Sequence, residues 1–208
     1  MRAKKTLCII GAGGHGRVVA DVAAAQKEYR RILFLDDGDV SCEGASVVGP
    51  TSLWRDLAED RNIEFFVAIG NAQVRERFLR EISDFGGRLA TLIHPFSFVG
   101  SGVSIGEGSV VMAGAVVHHA AQIGVGVIVN TCASVDHDCQ IEDFCHVSVG
   151  AHVCGGVSVG SRTWIGAGAT VIQGITVGSD VVIGAGAVVL RDIGEVGTYV
   201  GVPAKRLK

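Results

Sequence analysis

From Val99 to Val189 every sixth residue is valine or isoleucine, sixteen in succession without a slip. These residue types make up roughly one position in six of ordinary chains, so chance does not produce such a run. A six-residue period is neither the helical repeat of about 3.6 residues nor the simple alternation of a half-buried strand. It fits a coil of short strands that turns a corner after each hexad, with the branched side chain pointing inward. The position four residues further on is uncharged throughout and mostly small, from Val103 through Cys139 and Cys145 to Ile193. Three hexads close a triangular coil of 18 residues. Successive coils then lie about 4.8 Å apart, the spacing of paired strands. An ordinary β-sandwich would not keep one period over this length.

Residues 1 to about 95 follow a different grammar. Strand-like segments (Thr6–Ile10, Arg31–Leu35, Glu64–Ile69, Arg88–Ile93) alternate with helix-like ones (Gly14–Gln26, Ser52–Glu59, Asn71–Phe85). In the first helix Val18, Val19, Val22 and Ala23 share a face; in the last, Val74, Phe78 and Ile82 are four residues apart. Such alternation implies a small parallel α/β domain. Between its first strand and helix lies Gly11-Ala12-Gly13-Gly14-His15-Gly16, a G-x-G-x-x-G loop, and Asp36-Asp37 end the second strand. Glycines there let backbone approach phosphates at a helix N-terminus, and the acidic pair suits a ribose or a base edge. The segment is too short for both halves of a dinucleotide fold, so a single nucleotide half-site is expected.

Composition narrows the function. Apolar residues make up 48% of the chain and charged ones 19%, yet no apolar run approaches a membrane span. A net charge of −3 leaves no basic footprint for nucleic acid. The N-terminus runs from Lys5 straight into a short apolar segment and a glycine loop, unlike a signal peptide, so a cytoplasmic protein is expected. The six cysteines (Cys8, Cys42, Cys132, Cys139, Cys145, Cys154) show no CxxC spacing and read as reduced, small core residues.

One stretch of the coil breaks its wall of small residues: Asn130 to Cys139, followed by Phe144-Cys145-His146. Val135 and Ile141 keep the inward register, so His137 and Asp138 project outward. A histidine flanked by carboxylates is a candidate general base, with Asp138 the preferred orienting group and Asp136 its competitor. His119, 18 residues before His137, falls on the adjacent coil. With His146 these histidines compose a possible zinc set, the reading of a carbonic-anhydrase-type hydratase. His118 and His152 read as surface residues.

The hexad repeat is identified as the hexapeptide pattern of left-handed parallel β-helices, and the left hand follows from that resemblance alone. The whole chain resembles the bacterial nucleotide-sugar N-acetyltransferases that acetylate a 4-amino-4,6-dideoxy sugar, a family that includes sialic acid O-acetyltransferases. The residues that carry the resemblance are the Gly11–Gly16 loop, Asp36-Asp37, Ala68-Ile69-Gly70-Asn71, His94-Pro95, Val129-Asn130-Thr131, His137-Asp138, the run from His146 to Ala151, and the Gly201–Lys205 tail. It implies a Rossmann-like nucleotide-sugar-binding domain over 1–95, a left-handed β-helix over 96–193 and a C-terminal tail over 194–208.

By the same resemblance acetyl-CoA is the co-substrate and no metal is used. His137 is the base and Asp138 its partner, where many relatives have glutamate. Asn130 and His146 match positions in the active site near the acetyl group. The backbone at Gly155 meets the thioester oxygen, and Ala167 and Ala185 line the pantetheine groove. Gly11, Gly13, Gly14, His15, Gly16, Asp36, Asp37, Ile69 and Gly70 fall to the nucleotide-linked amino sugar. Such enzymes are homotrimers with the groove between neighbouring β-helices, where one subunit's N-terminal domain presents the sugar. The competing expectations are O-acetylation of a sialic acid or another sugar, the zinc hydratase, and a non-catalytic nucleotide-sugar-binding module.

Overall fold

The computed structural model describes residues 5–38 and 46–207, so Cys42 lies outside the described residues. The chain divides into two compact units, Met1–Pro95 and Phe96–Lys208.

The first unit is built on a parallel sheet of β1 (Lys5–Ile10), β2 (Tyr29–Leu35), β3 (Val47–Gly49), β4 (Ile63–Val67) and β5 (Arg88–Leu89), in the order β3-β2-β1-β4-β5. Leu7 to Ile10 at its centre are fully buried. The helices are α1 (Gly14–Gln26), α2 (Trp54–Leu57) and α3 (Ala72–Asp84). The Asn71 side chain accepts from the Val74 N–H and so caps α3. Strand order reverses between β1 and β4, which makes the C-terminal ends of these two strands the switch point where α/β sheets take ligands. The glycine loop follows β1 there, and Ala68–Asn71 follows β4.

Several expected elements differ in detail. Val18 is exposed, because the buried stripe of α1 is the narrower set Gly16, Val19, Val22 and Ala23. The expected helix over Ser52–Glu59 is a 3₁₀ turn, Thr51–Leu53, running into the four-residue α2. Asn71 and Phe85 serve as caps rather than as helical residues. The expected strand over Arg88–Ile93 is interrupted at Ala90-Thr91, and only Arg88–Leu89 joins this sheet. The short β3 was not foreseen; it forms by pairing with the end of β2.

The second unit is a parallel β-helix of two-residue strands on three faces. Within this unit the first strands on the first, second and third faces are Phe98–Val99, Ser104–Ile105 and Val110–Val111. Through Thr170–Val171 each strand pairs in parallel with the one 18 residues on, as Val117 does with Val135 and Val129 with Val147. The inward hexad residues are buried from Val111 to Val189, while Val99 and Ile105 on the opening coil are half-buried. Every sixth residue from Gly102 to Gly186 has a positive φ, whether or not it is glycine. These are the corners of the prism. The chain after Gly194 still adds to the third face: Gly197–Val200 pairs in parallel with Val181–Ile183, and Lys205–Arg206 folds back antiparallel. Of the described cysteines, Cys8, Cys139 and Cys145 are buried and Cys154 is half-buried, but Cys132, at a corner with φ 56°, is exposed.

Gly16 is the tightest point of the first unit, since a Cβ there would lie 1.9 Å from the Gly11 carbonyl oxygen. That oxygen is backbone and cannot swing aside. Gly16→Ala is expected to cost about 2 kcal/mol through overpacking, read as a lower urea midpoint at unchanged m-value.

Candidate active site

The residues that resemblance assigns to acetyl transfer fall on two separate parts of the prism. The turn that carries His137 and Asp138 lies between strand Ser134–Val135 on the first face and Gln140–Ile141 on the second. Gly155 occupies the same corner one coil later. Asn130, Ala167 and Ala185 lie on the edge between the third and first faces, and His146 opens a strand of the third face. The first–second edge is opposite the third face, so within one chain the His137 group and the His146 group do not meet.

At the first–second edge His137 Nδ1 and Asp138 Oδ2 are 2.8 Å apart, with both side chains exposed. Asp136 is used differently: its Oδ1 accepts the His137 backbone N–H at 2.8 Å. Of the two flanking carboxylates, Asp138 is thus the one that bonds the ring. That bond, helped by the Asp136 charge, holds the imidazole pKa above its ordinary value. With Nδ1–H donating to Asp138, the neutral ring carries its lone pair on Nε2. Asp138 sits at a corner with φ 58°, a conformation that aspartate tolerates better than most residues. Below the ring lies Gly155, where a Cβ would be 2.6 Å from His137 Nε2. Cys139 is an unsuitable nucleophile here, because burial raises its thiol pKa and its Sγ donates to the Cys154 carbonyl.

On the third face the Asn130 Nδ2 lies 3.1 Å from His146 Nε2, and Asn130 Oδ1 accepts the Thr131 N–H at 2.8 Å. Ala167 and Ala185 are exposed along the neighbouring edge. Trp164, which the sequence did not single out, stacks on His146. A bulky aromatic leading a hexad where most such positions are small or aliphatic was its available signal.

In the first unit, Gly11 (φ 103°) approaches Ala68, while Gly13 and Gly14 have open space where a Cβ would stand. Asp36 Oδ2 accepts the Ala12 N–H at 2.7 Å and its Oδ1 accepts from Gly38. Asp37 accepts from the Thr51 N–H and hydroxyl, which holds its carboxyl below the ordinary range. These carboxylates therefore brace the loops around the switch point. His15 is neutral near pH 7: burial, with the Arg75 charge adding to it, lowers its pKa to about 4. Its Nε2 is buried with no hydrogen-bond partner among the described residues. Arg75 was missed by the sequence reading. It is fully buried and its Nη1 donates to the carbonyls of Ile69 and Gly70, at 2.8 and 3.0 Å. It shares the buried stripe of α3 with Phe78, Leu79 and Ile82, and a cation in that register was the signal.

Among the described residues no group of three or more His, Cys, Asp or Glu side chains is arranged to hold a metal. The zinc set fails within one chain because His146 lies across the prism from His119 and His137. No helix among the described residues is long and apolar enough to cross a membrane.

A hexapeptide β-helix that follows an α/β unit in sequence, with a histidine–carboxylate pair over a glycine, defines the class: a hexapeptide-repeat acyltransferase. Comparison with known proteins gives the family. The pattern described as "PglD N-terminal domain" matches residues 6–82. "Bacterial transferase hexapeptide (six repeats)" matches 156–191, and "Hexapeptide repeat of succinyl-transferase" matches 97–118. The acetyltransferase domain of PglB from Neisseria gonorrhoeae FA1090 is 45% identical, with TM-score 0.95, over 98% of this chain and 100% of that one. That domain is also known in complex with acetyl coenzyme A. PerB from Caulobacter crescentus, in complex with CoA and GDP-perosamine, is 40% identical with TM-score 0.92, over 99% of each chain. UDP-N-acetylbacillosamine N-acetyltransferase of Bacillus subtilis (strain 168) is 37% identical over 112 residues, 52% of this chain and 52% of that protein. The match thus spans about half the length of this curated relative. The chain belongs to the nucleotide-linked amino-sugar N-acetyltransferase family.

Two outcomes are expected at the His137 edge. Gly155→Ala keeps the thermal midpoint within about 2 °C, because a side-chain end rather than backbone must move, but lowers kcat/KM by roughly a hundredfold as the ring is pushed aside. Asp138→Asn removes the charge that stabilises the imidazolium. The His137 pKa therefore falls, and the acidic limb of the kcat/KM profile moves to lower pH at a reduced plateau rate.

Proposed function

We propose that this protein transfers the acetyl group of acetyl-CoA to the 4-amino group of a nucleotide-linked 4-amino-4,6-dideoxy sugar. The observation that carries the proposal is the His137–Asp138 pair with Nε2 directed over Gly155. The relatives crystallised with acetyl-CoA, and with CoA and GDP-perosamine, support it. The neutral sugar amine attacks the thioester carbonyl carbon, and a C–N bond forms while His137 Nε2 takes the amine proton. A backbone N–H at Gly155 stabilises the oxyanion. The C–S bond then breaks, and the thiolate of CoA takes the proton back from the imidazolium. No acyl-enzyme is needed. In the first unit the glycine loop and the N-terminus of α1 hold the diphosphate, and His15 Nε2 meets a polar group of the nucleotide sugar.

The division of the site between an edge and the opposite face has a consequence for assembly. His137, Asp138 and Gly155 join Asn130, His146, Ala167 and Ala185 only when the edge of one copy lies along the third face of another. A homotrimer repeats this contact three times and closes.

Thiol release from acetyl-CoA with UDP-, GDP- and dTDP-linked 4-amino sugars tests the activity. Turnover with one of them is expected, reduced by at least about a hundredfold in His137→Ala; inertness toward all would overturn the reading. Co-refolding His137→Ala with His146→Ala tests the shared site. Mixed trimers contain some edges and faces that are both intact, so activity above either parent is expected. If mixing recovers nothing, the site lies within one chain.

A further inference from the structure

His119 stands one coil before the proposed base on the same edge of the prism, in the column Ser101, His119, His137, Gly155. Backbone bonds hold this column in register. The Ser101 carbonyl accepts the Ala120 N–H at 3.1 Å, the His119 carbonyl accepts the Asp138 N–H at 3.0 Å, and the His137 carbonyl accepts the Gly156 N–H at 2.9 Å. Neighbouring members of the column therefore lie about 4.8 Å apart along the coil axis. The adjacent His118 is partnered differently, since its ring packs on Phe98 with centroids 5.8 Å apart.

The two imidazoles of the column lean in opposite directions. His119 leans back over the preceding coil, where its Nδ1 is 2.9 Å from Ser101 Oγ and a Cβ at Gly102 would lie 3.8 Å from its Cε1. His137 leans forward over Gly155. Both side chains are exposed. With Nδ1 held by Ser101, the second polar atom of the His119 ring is Nε2. In the reading above the coenzyme takes Gly155, Ala167 and Ala185, all on later coils than His137. An acceptor whose amine reaches His137 without crossing the coenzyme therefore lies toward the earlier coils, beside His119. A 4-amino-4,6-dideoxy sugar carries a hydroxyl on C3, next to its amine. A vicinal amine and hydroxyl, each reached through a hydrogen bond of about 2.9 Å, span two side chains one strand spacing apart. A hydroxyl both donates and accepts, so it suits Nε2 in either tautomer of His119.

We propose that His119 is a specificity-determining residue, its Nε2 hydrogen-bonding the C3 hydroxyl of the acceptor sugar beside the amine that His137 serves. The inference rests on the acceptor reading above and adds to it a second point of recognition on the same edge. The contact is formed in the bound substrate and kept through transfer, so its loss weakens binding without slowing the chemical step. A sugar that lacks the C3 hydroxyl is selected against by this ring.

The test is a cycle between variant and substrate in the full chain. Thiol release from acetyl-CoA is followed with the nucleotide-linked 4-amino sugar that turns over and with its 3-deoxy analogue, for wild type, His119→Ala and His119→Gln. In wild type, removing the hydroxyl lowers kcat/KM by about tenfold. His119→Ala lowers kcat/KM for the intact sugar by about the same factor, through KM, with kcat within about twofold of wild type. In that variant the 3-deoxy analogue is no worse than the intact sugar by more than about twofold. His119→Gln, which keeps a hydrogen-bonding end, regains part of the preference for the hydroxyl. If His119→Ala fails to fold, His119→Phe keeps the bulk of the ring without a hydrogen-bonding atom and gives the same result. A preference for the hydroxyl that is undiminished in the variants overturns the proposal, as does a variant that lowers kcat equally for both sugars, which would make His119 a support for the edge. Wild-type inertness toward every 4-amino sugar overturns the acceptor reading, and this contact with it.

Discussion

The inward stacking of β-branched side chains at intervals of 18 residues governs everything else in the β-helix. Each valine or isoleucine touches its counterpart on the next coil, so one residue of slippage would turn an entire face inside out. Register is therefore enforced by burial at every hexad, and residues far apart in sequence become neighbours at strand spacing. The column Ser101, His119, His137, Gly155 shows what this accomplishes. Ser101 bonds the ring of His119, and His137 covers Gly155, with no local sequence motif linking the members. The rigid coil supplies the precision that the proposed His137–Asp138 pair requires.

The hexad register was legible because it is a local periodicity that tertiary contacts reinforce. The His137–Asp138 pair was legible because polar residues stand out from a wall of small ones. The first unit was harder where pairing itself makes the structure. Neither the three-residue β3 nor the break at Ala90-Thr91 has a signal in residue type, since both depend on which neighbouring strand is present. Arg75 and Trp164 escaped notice for a related reason. A buried arginine and a half-exposed tryptophan acquire meaning only once the carbonyls of Ile69 and Gly70, or the ring of His146, are known to lie beneath them. The division of the site between an edge and the opposite face was implicit in the phase of the hexads, but emerges only when that phase is mapped onto corners and faces.

His15 and His137 show how one residue type is given two roles by its surroundings. His15 is enclosed, with the Arg75 cation nearby, so its charged form is disfavoured and the ring remains neutral. His137 is open to water and bonded to a carboxylate, so its charged form is favoured, as the proposed proton acceptor requires. Neither role needs an unusual residue. The fold decides by placing one ring at a buried strand–helix turn and the other on an exposed corner.

The left-handed corner at Asp138 bears on which carboxylate the site employs. A glutamate reaches further, but it is a poorer occupant of positive φ than aspartate, whose short polar chain can satisfy nearby backbone. Choosing aspartate relaxes the backbone and makes the turn itself do the aiming, since a short side chain has few rotamers through which to miss the imidazole. The direction of the His137–Asp138 hydrogen bond is thereby set by the bend of the coil more than by side-chain flexibility.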